Sequence, residues 1–280
     1  MTPFLESPFV TALSRIAFAL LPLVLVGNAR ADDAVRLPPR GEFHLFLLAG
    51  QSNMAGRGEV EPSDREPIPH VLALDAAGNW VPARDPIHWD KPSAGVGLAR
   101  SFAVEYLKHH PGVTVGFIPA ACGGSPISTW APGQYFDQTH SHPYDDALTR
   151  TRRALQAGIL RGILWHQGES DTQPELAPSY EASLTALIAR LRRELGAPRV
   201  PFVIGQLGQF AAVPWNEPTR AVDAAHRNVA AAVPLAALVS SHGLASNPDN
   251  IHFSAAALRE FGRRYAVEFD ALEREAAARH

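Results

Sequence analysis

The chain has 280 residues, enough for one large α/β core. Its formal net charge of −3 leaves no basic field to attract nucleic acid, which excludes that class of partner. Cys122 is the one cysteine, so an intramolecular disulfide cannot form.

Residues 16–26 make an apolar run preceded by Arg15 and followed by Ala29-Arg30-Ala31, a small-x-small pattern of the kind that precedes a cleavage site. The run is shorter than the roughly 20 residues of a spanning helix and contains Pro22. The expectation is a cleaved secretory leader over residues 1–31, with an uncleaved anchor as the alternative. Residues 32–280 then form a single domain, secreted or periplasmic, with no membrane contact after cleavage.

Residues 32–42 read as an extended lead-in, and residues 43–49 as a buried strand, apolar after His44. From Gly56 to Pro92 the chain is irregular, with room for one short strand at residues 71–75. Leu98, Phe102 and Tyr106 recur at helical spacing before Pro111-Gly112 stops the helix. A strand at 113–119 leads into the small residues 120–125. Then follow a helix near 145–157 and a strand at 159–165. Leu176, Tyr180, Leu184, Leu187, Leu191 and Leu195 mark an amphipathic helix. A strand at 200–207, an Ala-rich helix at 218–232 and a strand at 235–240 complete the alternation. Ser254 is placed to cap a last helix whose inner face carries Leu258, Phe261, Tyr265, Phe269 and Leu272. About five strands separated by helices predict a three-layer α/β/α fold with a central parallel sheet.

The polar motifs follow the strand ends, where open α/β sheets place their chemistry. Gly50-Gln51-Ser52-Asn53-Met54-Ala55-Gly56 presents a serine after the first strand, and Asp249-Asn250-Ile251-His252 supplies an acid and an imidazole near the carboxyl end. Serine, histidine and aspartate can act as nucleophile, general base and orienting group, which makes Ser52, His252 and Asp249 the candidate catalytic residues. A plain helix-capping serine and a turn-capping aspartate are the structural alternatives. Asn53-Met54 departs from the Gly-x-Ser-x-Gly elbow, which argues against an ordinary α/β-hydrolase.

The order of an early serine and a late Asp-x-x-His resembles the SGNH (GDSL-like) hydrolases. The fuller string at 50–56 is similar to that of their carbohydrate-esterase branch, the sialic acid-specific acetylesterase or family 6 acetylxylan esterase group. Residues 121–130 resemble its Gly-Gly-Thr-x-Ile-x-x-Trp element, with Ser125 in place of threonine, and residues 165–171 match its Trp-x-Gln-Gly-Glu-x-Asp element. The four ordered blocks span residues 46–253.

The resemblance implies an SGNH/flavodoxin-like fold and a serine esterase that removes acetyl groups from a carbohydrate, acetylxylan-type or sialate, through an acetyl-enzyme and without a cofactor. A broad short-chain esterase and a non-catalytic carbohydrate-binding protein are the rivals. Backbone N–H groups of Ser52 and Gly124, with Gly123 less favoured, are candidate oxyanion donors. The resemblance adds the Gln167 side chain to them. Trp130 is either a sugar platform or a packed lid residue, and Asn53 and Ser125 are further candidate substrate contacts. Gln51, Glu169, Asp171 and Arg57 are expected to order these loops, with Arg57 pairing one of the two acids. A two-carboxylate glycosidase would require Glu169 and Asp171 to flank a sugar. His140, His142 and His166 lack a matching metal-binding pattern, and no metal is expected.

Overall fold

A computed structural model describes residues 35–278, so the expected leader lies outside the described residues. The strands are β1 (Phe43–Gly50), β2 (Val71–Leu74), β3 (Trp80–Pro82), β4 (Thr114–Pro119), β5 (Ile159–His166), β6 (Phe202–Gly205) and β7 (Ala236–Val239). They form one sheet in the order β3-β2-β4-β1-β5-β6-β7. Every pairing is parallel except that of β2 with β3. The predicted class therefore holds, but the sheet has seven strands rather than about five. β2 is the short strand allowed for at residues 71–75, and it pairs with β3 in an edge hairpin whose turn is closed by Asp75 accepting from the Asn79 N–H at 2.7 Å. Three half-exposed residues in β3 are too few to show a period, so this strand left no trace in the pattern.

The helices are α1 (Ser52–Ala55), α2 (Ala99–His109), α3 (Pro143–Ala154), α4 (Tyr180–Glu194), α5 (Glu217–Ala232) and α6 (Ala255–Ala278). Alternation along β1 divides the core. Phe43, Leu45, Leu47 and Ala49 face the side covered by α3, α4 and α5, whereas Phe46 and Leu48 face α2 and α6. Ser254 caps α6 as expected, its hydroxyl accepting from the Ala257 N–H at 3.2 Å. Among the described residues no helix is long and apolar enough to cross a membrane.

One buried acid in the segment before α2 ties stability to pH. Asp85 is 4% exposed, and burial pushes its carboxyl up to about 7, against the opposing pull of Arg100 at 3.8 Å. A raised folded-state value means the native chain holds a proton that the unfolded chain has released. The stabilisation is complete below the ordinary carboxylate range and is lost as pH rises toward 7. Asp85→Asn is expected to stabilise the protein by about 1–3 kcal/mol at pH 8 and to give no gain at pH 4. Urea unfolding at both pH values checks this, and an equal difference at the two would contradict it.

Candidate active site

β1 lies centrally, with β4 on one side and β5 on the other, and the motifs that follow these three strands become neighbours at the carboxyl edge. Gly50 ends β1 with φ 132°, and a Cβ there would lie 2.1 Å from the His166 carbonyl oxygen. Only glycine permits this approach, which lets the Gln51 N–H bond the same carbonyl at 2.8 Å and turns the chain into α1 with Ser52 at its first position.

The Asp-x-x-His loop follows β7. Asn250 adopts φ 56°, a left-handed conformation that asparagine tolerates, and this brings Asp249 back under its own loop. Asp249 Oδ1 accepts from the N–H groups of Ile251 and His252, each at 2.9 Å, and Oδ2 lies 2.7 Å from His252 Nδ1. Burial pushes this carboxyl up, but the N–H of His252, its ring and the N–H of Ile251 together hold it below the usual carboxylate range. With Nδ1–H donated to Asp249, Nε2 carries the free lone pair and faces Ser52 Oγ at 3.0 Å. Serine, imidazole and carboxylate thus stand in one hydrogen-bonded line, in the geometry for removing the hydroxyl proton.

Asn53 is placed differently from the expectation. It is 1% exposed and offers no surface to a substrate. Its Oδ1 accepts from the Phe253 N–H at 3.0 Å, while Nδ2 donates to Glu169 Oε1 at 2.6 Å and to the Ile251 carbonyl at 3.3 Å. One side chain therefore clamps the serine turn to the histidine loop and to the loop after β5. Trp130 and Ser125 are also corrected as substrate contacts. Trp130 is 1% exposed, Ser125 is fully buried, and the indole N–H donates to the Ser125 hydroxyl at 3.0 Å. The Trp130 ring packs edge-on against Trp165 at 5.0 Å, so it serves the core rather than a sugar.

The Gln167 amide cannot serve an oxyanion. It is fully buried, and Nε2 has acceptors in Ser125 O at 3.0 Å, Gln51 Oε1 at 3.2 Å and Asp171 Oδ2. Two N–H protons are thereby spent. Its Oε1 accepts from the Tyr180 hydroxyl at 2.8 Å, and that hydroxyl also meets His226 Nε2 at 2.9 Å. His226 is held down at about 3 by burial, and burial also lowers His166, so both imidazoles beneath the site are neutral. Gln51 binds the same loop, accepting from the N–H groups of Gly168 and Ser170 at 3.3 and 3.4 Å. Asp171, 2% exposed, accepts from the Ile127 N–H at 3.0 Å and so joins this loop to the Gly-Gly segment.

Arg57 pairs with Asp90 at 2.7 Å, not with Glu169 or Asp171, and both side chains are buried. Asp90 also accepts from the Gly123 N–H at 2.8 Å, which removes Gly123 as an oxyanion donor. A Cβ on Gly123 would lie 2.3 Å from Arg57 Nη2 and 2.6 Å from Asp90 Oδ2, so glycine is required for the ion pair to sit there. Gly124 has φ 88° and, among the described residues, its N–H and that of Ser52 meet no acceptor. The segment before α2 thus does more than cover the fold: it delivers Asp90 and Lys91 to the site. Neither residue carried a sequence signal, because an irregular stretch has no period from which a neighbour can be read.

Asp171 and one oxygen of Glu169, Oε1, accept from protein donors, while Glu169 Oε2 is buried without a hydrogen-bond partner, an arrangement unlike two carboxyls flanking a sugar. His140, His142 and His166 bond separately, to Tyr135, the Gln134 carbonyl and the Gln206 carbonyl.

A serine, an imidazole and a carboxylate aligned at the carboxyl end of the central strand of a layered, mainly parallel sheet form an arrangement suited to ester hydrolysis. Residues 42–271 match the model of the family described as carbohydrate esterase, sialic acid-specific acetylesterase, and the chain belongs to that family and is an esterase. It is 30% identical over 198 residues to a probable carbohydrate esterase of Arabidopsis thaliana, covering 63% of this chain and 72% of that one. The crystal structure of an A. thaliana protein superposes with a TM-score of 0.72 at 27% identity, covering 84% of this chain and 99% of that one. NanS shares the fold with a TM-score of 0.66 at 19% identity, covering 85% of this chain and 100% of the other. A carbohydrate acetylesterase of Xanthomonas citri does so at 0.62 and 21%, over 83% of this chain and 56% of its own.

Proposed function

We propose that the protein removes O-acetyl groups from a carbohydrate by a Ser-His-Asp mechanism, a reading carried by the continuous line Ser52–His252–Asp249. Ser52 Oγ attacks the acetyl carbonyl while His252 Nε2 takes its proton. The N–H groups of Ser52 and Gly124 stabilise the oxyanion. Collapse of the tetrahedral adduct breaks the ester bond, and His252 returns the proton to the departing sugar oxygen. Water, deprotonated by the same imidazole, then releases acetate and restores Ser52. No step calls for a cofactor.

An acetylated polymer of the xylan type is one substrate within this proposal, supported by an open rim. The Asp249 and His252 side chains are 43% and 22% exposed, and Ile251 beside them is 57% exposed. A second reading, an O-acetylated sugar acid such as a sialate, is favoured by Lys91. Its ammonium lies 3.6 Å from where a Cβ on Gly124 would be, and among the described residues it bonds only the neutral Gln138 Oε1, at 2.8 Å. An unpaired cation beside the reacting carbonyl suits a substrate carboxylate.

Acetate release from acetylated xylan, O-acetyl sialic acid and an aryl acetate tests the proposal. Absence of release from all three, with folded protein, would instead indicate a carbohydrate-binding protein. On the sugar-acid reading, Lys91→Ala should lower kcat/KM for the sialate about 10-fold and leave the aryl acetate unchanged. An equal change on both substrates would remove Lys91 from recognition. Export through cleavage after Ala31 belongs to the same proposal, and amino-terminal sequencing of the exported protein checks it.

A further inference from the structure

We infer that His110, Asp270 and Glu273 form a structural zinc site at the amino-terminal edge of the sheet, about one strand length, ~25 Å, from Ser52. One ligand atom from each of the three lies within 4.8 Å of the other two. Asp270 and Glu273 are three residues apart on α6 and so share a face, and His110 caps the carboxyl end of α2 packed against it. A helix carboxyl terminus, with its unpaired carbonyls, favours a nearby cation.

The orientation of the donors separates this cluster from ordinary surface pairing. Each carboxylate has one oxygen held by an outer partner, which leaves the other available: one faces His110 and one has no hydrogen-bond partner. Asp270 Oδ2 is held by His109 Nδ1 at 2.5 Å, and its Oδ1 is buried with no hydrogen-bond partner. Asp270 as a whole is 8% exposed, so this oxygen is a desolvated acceptor awaiting a donor or a cation. Glu273 Oε1 is held by Arg161 at 2.5 Å, and its Oε2 faces His110 Nε2 at 3.1 Å. Arg161 reaches it because a β-bulge in the β1–β5 pairing sets that residue out of register. The His110 ring is stacked on Tyr106 at 3.9 Å, and the Tyr106 hydroxyl is held by His44 at 2.7 Å. Outer partners that fix ligand orientation in this way are the second requirement of a metal site.

The charges and donor types select the ion. The two carboxylates outnumber the one guanidinium beside them, an excess of negative charge that a dication reverses rather than compounds. One imidazole and two carboxylate oxygens suit Zn²⁺ better than Mg²⁺ or Ca²⁺, which prefer oxygen alone. Closing to zinc–ligand distances of about 2.0–2.2 Å needs inward shifts on the order of 1 Å. Water can fill a fourth position from the adjoining cavity of about 920 Å³, lined by His109, Arg161 and Asp270 among others. The ion would staple α2 to α6.

Calorimetric titration of the metal-stripped full chain with ZnSO₄ tests the site. The expected result is one Zn²⁺ per chain, with Tm raised by roughly 5–10 °C at 100 times Kd. Asp270→Asn and Glu273→Gln keep the side-chain shapes and should each weaken binding about 100-fold, while aryl acetate hydrolysis stays unchanged. His110→Ala adds the imidazole arm, and the two amide variants carry the test if it fails to fold. Absence of stoichiometric uptake would overturn the site. So would uptake unaffected by either amide variant, which would place the metal on surface imidazoles such as His140 and His142.

Discussion

Alanine at position 52 is expected to lower kcat for acetate release by about 10⁴–10⁶-fold while leaving the fold intact. The serine hydroxyl makes one hydrogen bond, to His252, and its loss leaves no buried charge behind. Residual turnover should come from the oxyanion donors and binding alone, so His252→Ala combined with Ser52→Ala should cost little more than either change alone. A folded Ser52→Ala variant that retained even a tenth of wild-type kcat would reject Ser52 as the nucleophile. Acetyl-enzyme trapped by rapid quench and located by mass spectrometry on the peptide containing Ser52 gives the complementary result. The same label on another serine would reject the assignment equally.

Removal of Asp90 should be the most damaging change to stability outside the hydrophobic core. Asp90→Ala strands the Arg57 guanidinium, whose side chain is 6% exposed, and leaves the Gly123 N–H without its acceptor. Breaking one half of a buried pair costs about 3–5 kcal/mol, because the remaining charge cannot return to water. The Gly-Gly loop rests on this pair, so folded Asp90→Ala protein should also lose activity as the Gly124 N–H drifts from the carbonyl it is to polarise. Denaturant titration measures the first effect and kcat/KM the second. Removing both partners, Arg57→Leu with Asp90→Leu, should cost less than the sum of the single changes, since no charge is then left unpaired. An Asp90→Ala variant within 1 kcal/mol of wild type would show that the pair is not the support of this loop.

The serine, the histidine and its acid were legible because each is a local pattern at a strand end. Gly50 must be glycine to pass the His166 carbonyl, and Asp249 reaches His252 within a single turn. The surrounding loops were legible as motifs but not as roles. Gln167 carries a donor that could serve an oxyanion, and only the packing of Asp171, Ser125 and Gln51 around it shows that the donor is spent. Trp130 reads equally as platform or core until its indole is seen buried against Trp165. Arg57 announces a need for an acid, yet its partner lies 33 residues away in a stretch without periodicity.

Alternating apolar segments by themselves determined the layered α/β class, because burying strands and amphipathic helices together has few solutions. They also determined which edge would carry the chemistry, since parallel strands end together. Only the tertiary structure decided which polar groups remain free at that edge. Hydrogen-bond satisfaction is a property of neighbours brought from distant positions: Asn53, Gln167 and Gly123 each carry donors suited to a ligand, and each gives them to the protein. Among the described residues the N–H groups of Ser52 and Gly124 meet no acceptor, and the ammonium of Lys91 meets only the neutral Gln138 Oε1 and no countercharge, so these donors remain for a ligand.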